Sequence, residues 1–243
     1  MSDTRFHQLP DGRRIAFRKV DGAGPALVFL PGYMSDMSGS KAGAVFQWCA
    51  GEGRECLLLD YSGCGESDGE FADGSLSRWR DEVLAVVQAQ VSGPVVLVGS
   101  SMGGWLMLLV GLALGERLAG IVGIAAAPDF SEWGYSAEQH ATLASGETIY
   151  EPNPYGPEPT PTHARFWKDA QENRLLGAEI ALNCPVRLLH GQEDHDVPPE
   201  ISLRLSAALT STDEQATLVK GGDHRLSREN DIALLLRSLE SLT

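Results

Sequence analysis

Six short runs dominated by apolar residues punctuate the chain: ALVFL at 26–30, CLLLD at 56–60, VVLV at 95–98, IVGIAA at 121–126, VRLL at 186–189 and ATLV at 216–219. Runs this short and continuous read as strands buried on both faces, not as strands with one wet side. The segments between them change period. In 76–90, Trp79, Val83, Val86 and Val87 share one face at helical spacing. Further helices are predicted over 41–50, from the third run to about residue 114, over 199–209 and over 230–242. Strands alternating with crossover helices predict an α/β fold, a mainly parallel sheet covered on both faces. Near the N-terminus, 5–9 and 14–20 flank the turn signal Pro10-Asp11-Gly12 and predict a β-hairpin.

One stretch breaks the alternation. Residues 128–182 follow the fourth run and hold the proline-dense YEPNPYGPEPTP at 150–161. The expected organisation is a single domain over 1–243 with a cap inserted at about 128–182, lying over the carboxyl edge of the sheet. Phe130, Trp133, Tyr135, Phe166 and Trp167 either line the underside of that cap or pack its own small core. Trp133, Phe166 and Trp167, with Met34 from an earlier loop, are the expected substrate contacts.

Composition narrows the field. A chain of 243 residues with 43% apolar content buries one sizeable core. A net charge of −14 repels a phosphate backbone, so nucleic acid is not an expected partner. The most apolar region, 105–127, is interrupted by Gly115-Glu116-Arg117 and reads as a buried helix followed by a strand, not a membrane span. Cys49, Cys56, Cys64 and Cys184 lack metal-type spacing and read as reduced thiols. The N-terminal MSDTRFHQLPDG has neither the apolar core of a secretory signal nor the look of an organelle presequence, and a cytoplasmic location is expected. Composition carries no signal of oligomeric state.

Candidate chemistry begins at VLVGSSMGGWLMLL, 96–109, where Gly99-Ser100-Ser101-Met102-Gly103 fits G-x-S-x-G with Ser101 at its centre. A nucleophile on a sharp strand-to-helix turn needs small residues two before and two after, where backbones crowd. Ser100 fits no such pattern, and a local hydrogen bond is its expected role. A serine hydroxyl needs a base, and the base an orienting carboxylate. His224, on the loop after the last strand, is the expected base, with His195 its competitor. His7 lies too early, His140 and His163 fall in the insertion, and His190 ends an apolar strand, where a structural hydrogen bond is expected. The acid is expected at Asp194, from its offset to His190-Gly191 and Val197-Pro198; Asp196 is next, Asp129 an alternative after the preceding strand, and Asp223 less favoured. Three consecutive residues, Asp194-His195-Asp196, do not converge on one ion, so no metal is expected. Charge developing on a carbonyl oxygen needs two backbone N–H donors. Met102 is expected to supply one and Tyr33 the other, with Met34 next in line.

LPGYMSDMSGSKA, LLLDYSGCGESDG, LVGSSMGGWLMLL, CPVRLLHGQEDHDVP and GGDHRLSRENDI together resemble the α/β-hydrolase superfamily. They are especially similar to the subgroup containing the mitochondrial palmitoyl-protein thioesterase that also cleaves mycophenolic acid acyl-glucuronide. The likeness spans most of the chain outside the insertion. It implies an esterase or thioesterase with Ser101, Asp194 and His224 at the family's triad positions, working through an acyl-enzyme without metal or organic cofactor. The implied partner is a small-molecule ester or thioester, or an acylated protein. Lactone, peptide and perhydrolase chemistry are alternatives for the same triad. A ligand-binding protein that has kept the scaffold and lost turnover is the alternative from another class.

Overall fold

The computed structural model of the chain describes residues 3–153 and 156–243. A hairpin of β1 (Arg5–Gln8) and β2 (Arg14–Val20) opens it, turning at Gly12 with φ of 90°. Then come β3 (Ala23–Leu30), α1 (Ser40–Glu52), β4 (Arg54–Leu59), α2 (Leu76–Gln90), β5 (Val95–Ser100), α3 (Met102–Leu114) and β6 (Leu118–Ile124). The insertion contributes α4 (Phe130–Trp133), α5 (Ala137–Ser145), β7 (Ile149–Glu151), β8 (Thr160–Thr162) and α6 (Ala164–Glu172). The alternation resumes with β9 (Val186–Gly191), α7 (Glu200–Ala208), β10 (Glu214–Val219) and α8 (Glu229–Glu240).

The main sheet has eight strands in the order β1-β2-β4-β3-β5-β6-β9-β10. From β4 to β10 every pairing is parallel, and only the hairpin joins antiparallel. The first five apolar runs become its centre because both faces are covered. The sixth, expected to be buried on both faces, is instead the edge strand β10, where Ala216, Thr217 and Leu218 are exposed because no further strand follows β10. Along β3, Leu27 and Phe29 face the layer of α1 and α8, while Val28 and Leu30 face that of α2, α3 and α7. Val45, Phe46 and Cys49 pack with Leu235 and Leu239 on the first side; Trp79, Val83, Met107 and Leu205 form the second. Each Val, Leu, Phe or Met side chain among them contributes about 1.5–3 kcal/mol on removal from water. Among the described residues no helix is long and apolar enough to cross a membrane.

Parallel strands send their loops out of one edge. The pairings Leu30↔Gly99, Ser100↔Ile124 and Ile124↔Leu189 set the ends of β3, β5, β6 and β9 level with one another. The insertion leaves the same edge after β6. The described parts of the proline-dense run form the β7–β8 hairpin, and Pro154 and Tyr155 at its centre lie outside the described residues. Buried Asp129 anchors the insertion, its two carboxylate oxygens each accepting an N–H, from Leu175 and Leu176, at 2.8 Å. Trp105 Nε1 donates to Asn173 O at 3.0 Å and Tyr33 Oη to Pro161 O at 3.0 Å, tying the insertion to α3 and to the loop after β3.

Candidate active site

The serine sits where the sheet delivers it. Ser101 follows β5 with φ 56° and ψ −122°, a conformation that costs a non-glycine residue about 1–3 kcal/mol and is tolerated where packing enforces it. Its neighbours show why the motif needs glycines. A Cβ on Gly99 would stand 2.4 Å from Gly103 O, and one on Gly103 would stand 2.1 Å from Leu30 O. The strained turn lifts Ser101 Oγ from the sheet edge, 3.1 Å from His224 Nε2. Ser100 is buried at the end of β5 and its side chain makes no hydrogen bond among the described residues, in place of the local one expected.

His224 lies on the loop between β10 and α8, and its Nδ1 is 2.9 Å from Asp194 Oδ2. Asp194 occupies the loop after β9, where its Oδ1 accepts N–H bonds from Asp196 at 2.9 Å and Val197 at 2.8 Å. Exposure separates their roles, for the His224 side chain is 16% exposed and that of Asp194 is fully buried. Burial works to raise the Asp194 carboxyl, but the ring N–H groups of His190, 3.2 Å away, and of His224, with the charge of His224 and the Val197 N–H, outweigh it. The group is held well below the usual carboxylate range. Because Asp194 accepts at Nδ1, that nitrogen carries the proton, and the lone pair of Nε2 faces the serine.

The alternatives have other occupations. Asp129 holds the insertion, and its carboxyl is raised by burial against the lowering effect of its N–H bonds. Asp223 Oδ1 accepts from Leu226 N at 3.0 Å. Asp196 gives its N–H to Asp194, while His195 lines the cavity without bonding Ser101. Ligand atoms of Asp194, Asp196 and His224 lie within 4.8 Å of one another, a donor set of the kind metals use, but Asp194 is already filled by N–H donors. His140 and His163 make local bonds in the insertion, to Glu132 O and Thr148 Oγ1, both at 3.0 Å.

The loop after β3 comes against the elbow, with Gly32 so close that a Cβ there would stand 3.4 Å from Ser101 Cβ. Tyr61 Oη donates to Pro31 O at 2.9 Å and Asp60 Oδ1 accepts from Met37 N at 2.7 Å, pinning this loop from beneath. Among the described residues the N–H groups of Tyr33 and Met102 have no acceptor within the protein. Asp60 and Tyr61 escaped the reading of residues, since an acid and an aromatic after a strand carry no distinctive spacing.

A cavity of about 700 Å³ opens over Ser101 and His224. Met34, 47% exposed and at φ 52°, lines it, as do Phe130, Trp133 and Tyr135 from the insertion. Phe166 and Trp167 do not. Phe166 is buried between Tyr33, Trp79 and Phe130, and Trp167 Nε1 donates to Ser131 O at 3.1 Å. The insertion's aromatics thus divide between lining and core. Polar groups share the cavity wall, among them Glu151, Asn153, Thr160 and Thr162. Lys41 of α1 also reaches it, donating to Arg225 O, its ammonium pushed down to about 8 by burial and by the Arg225 charge.

A parallel sheet with a serine elbow, a histidine and a buried acid on three loops of one edge defines the class. The model of the alpha/beta hydrolase family matches residues 27–235, and the chain belongs to that family. It is 36% identical over 243 residues to the human protein named "Palmitoyl-protein thioesterase ABHD10, mitochondrial", covering 98% of this chain and 79% of that one. The solved structure of alpha/beta hydrolase domain-containing protein 10 from mouse superposes with a TM-score of 0.92 at 35% identity, covering 99% of this chain and 98% of that one. A monoacylglycerol lipase from Paleococcus ferrophilus, at 18% identity and TM-score 0.79 over 94% of this chain and 99% of its own, shares the fold. The relatives from human, orangutan, mouse, rat and cattle are all named mitochondrial, which overturns the cytoplasmic location expected from the N-terminal stretch. The N-terminal stretch on which that expectation rested enters β1 at Arg5 and is part of the folded sheet, so it carries no information about a cellular address.

Proposed function

We propose that the chain is a serine hydrolase of carboxylic esters and acyl thioesters, with Ser101 as nucleophile, His224 as base and Asp194 as the orienting acid. The observation that carries this reading is the unbroken relay from Ser101 Oγ to His224 Nε2 at 3.1 Å and from His224 Nδ1 to Asp194 Oδ2 at 2.9 Å. Ser101 Oγ attacks the carbonyl carbon while His224 Nε2 takes its proton. The N–H groups of Tyr33 and Met102 receive the developing oxyanion, and each such donor is worth about 3–4 kcal/mol in the transition state. His224 passes the proton to the departing alcohol or thiol, leaving an acyl-serine. Water, deprotonated by His224, then attacks the acyl carbon; the acid leaves and Ser101 recovers its proton.

In this reading residues 1–243 form one domain and the segment at about 128–182 is its cap, roofing the cavity with Phe130, Trp133 and Tyr135. The substrate is a small-molecule ester or thioester or an acylated protein. The names of the relatives support the thioester end of that range. A fluorophosphonate probe tests the assignment directly. It is expected to label the wild type at Ser101 and to leave Ser101→Ala unlabelled. Folded wild-type protein that takes no label would instead be a binding protein on this scaffold. A panel of esters and thioesters of graded chain length then reads the acyl preference: a rise toward long thioesters favours depalmitoylation, and a rise toward short esters a general carboxylesterase.

A further inference from the structure

The surroundings of Asp194 extend beyond His224. Behind it lies His190, the penultimate residue of β9, fully buried in a position that the sheet's pattern would fill with an aliphatic side chain. Its ring bridges three groups. Nδ1 is 2.6 Å from Ser202 Oγ on α7, and Nε2 is 2.9 Å from Val197 O and 3.2 Å from Asp194 Oδ2. The partners decide the tautomer. A carbonyl oxygen and an ionised carboxylate offer no hydrogen, so Nε2 carries the proton, and Nδ1 of the neutral ring accepts from the Ser202 hydroxyl. Asp194 Oδ2 therefore accepts from His224 in front and has His190 Nε2 3.2 Å behind it, the Nε2–H itself being given to Val197 O. Val197 in turn gives its N–H to Asp194 Oδ1, so His190 grips the backbone that holds the carboxylate.

We infer that His190, set in its tautomer by Ser202, is a positioning residue for the reaction: its Nε2–H holds Val197 O, and with it the acid loop, and its polar ring edge, 3.2 Å from Asp194 Oδ2, draws charge on that oxygen away from His224. The depressed Asp194 carboxyl agrees with this, since the His190 N–H stands first among the groups that lower it. This inference rests on the relay reading of Ser101, His224 and Asp194. Other charged and titratable groups surround His224: Asp194 and Asp196 from the acid loop, Lys41 from α1, and Asp223 and Arg225 on its own loop. His195 and Asp36 line the same cavity. A substitution at position 190 alters none of these groups chemically.

The test compares His190→Leu, which removes the donor at similar bulk, with His190→Gln, whose amide N–H reaches about as far as Nε2–H. Hydrolysis of a p-nitrophenyl ester is followed across pH for both and for the wild type. His190→Leu is expected to lower kcat about 10- to 100-fold with KM within about threefold, the scale seen when a supporting hydrogen-bond partner is lost. With less charge drawn backward, Asp194 holds the protonated form of His224 more firmly. The acid limb of kcat/KM should therefore move up by roughly half a pH unit or more. His190→Gln should restore the limb and most of kcat. A purely structural histidine predicts unmoved limbs, or equal damage by both substitutions, and either result overturns the inference. Should His190→Leu not fold, nitrogen-15 correlation spectra of the wild type decide: His190 must appear as the Nε2–H tautomer, and the Nδ1–H form overturns the proposal. Fluorophosphonate labelling of the wild type runs alongside, so that loss of the relay reading, with no label at Ser101, is distinguished from loss of the role of His190, with label present and limbs unmoved.

Discussion

A carboxylate withdrawn from water is costly to ionise, yet Asp194 is fully buried and still held below the usual carboxylate range, because N–H groups outweigh the desolvation. That balance has a stability consequence of definite sign. The folded value is depressed, so the contribution of Asp194 is complete above its unfolded value of about 4 and is lost as pH falls through the folded value. In urea unfolding, wild type should therefore exceed Asp194→Asn in stability most clearly above about pH 5, with the gap narrowing steadily in acid. A gap that stays constant from neutrality down to about pH 3 would remove the ionised carboxylate from the account. Asp194 is legible in the sequence as a candidate because its evidence is local, a short offset from His190-Gly191 to Val197-Pro198 on one loop. Asp129 was not. Its partners, Leu175 and Leu176, lie 46 and 47 positions away, and nothing near residue 129 announces them.

The same contrast between local and distant causes governs the elements. β3, β5, β6 and β9 were legible as strands because their central residues are buried on both faces and each carries a short run dominated by apolar side chains. α2 was legible because Trp79, Val83, Val86 and Val87 keep helical spacing against a single layer. In the insertion, α4 has 4 residues and β7 and β8 have 3 each, too short for any period to declare itself. Such pieces are held by contacts that only the folded chain brings together. Asp129 makes two of these, and Asp129→Ala leaves the N–H groups of Leu175 and Leu176 without those acceptors. At about 1–3 kcal/mol for each buried group left unpaired, the insertion should loosen well before the sheet does. Limited proteolysis of Asp129→Ala is expected to cut within 128–182 faster than in wild type, while the far-ultraviolet signature of the sheet and its helices is retained. Unchanged cleavage there would mean that the aromatic contacts of Phe130 and Phe166 with Tyr33 suffice to seat the insertion.

Over the whole molecule, the sequence conveyed a mainly parallel sheet but not the strand order. That order sets β5 between β3 and β6, with β9 on the far side of β6, and so decides that the loops at residues 33, 101, 194 and 224 meet. Charge, too, acts at this scale in a way no single residue reveals. The chain carries a net −14, while the cavity mouth has Lys41 and Arg225 on its wall among Asp36, Glu151 and Asp196. Lys41 remains largely charged at neutral pH even with its ammonium pushed down to about 8. Two fields of opposite sign therefore compete for an approaching anion. The long-range one is screened beyond about 10 Å at 0.1 M salt, whereas contacts within the cavity are screened far less. Raising ionic strength should thus weaken the repulsion more than the local attraction. For a neutral p-nitrophenyl ester, kcat/KM is expected to stay level as salt increases; for the half-ester of a dicarboxylic acid it should rise severalfold, with the change in KM. A fall for the half-ester would mean that Lys41 and Arg225 dominate the field at the mouth. In that case Lys41→Met should flatten the salt dependence while leaving hydrolysis of the neutral ester within a factor of a few.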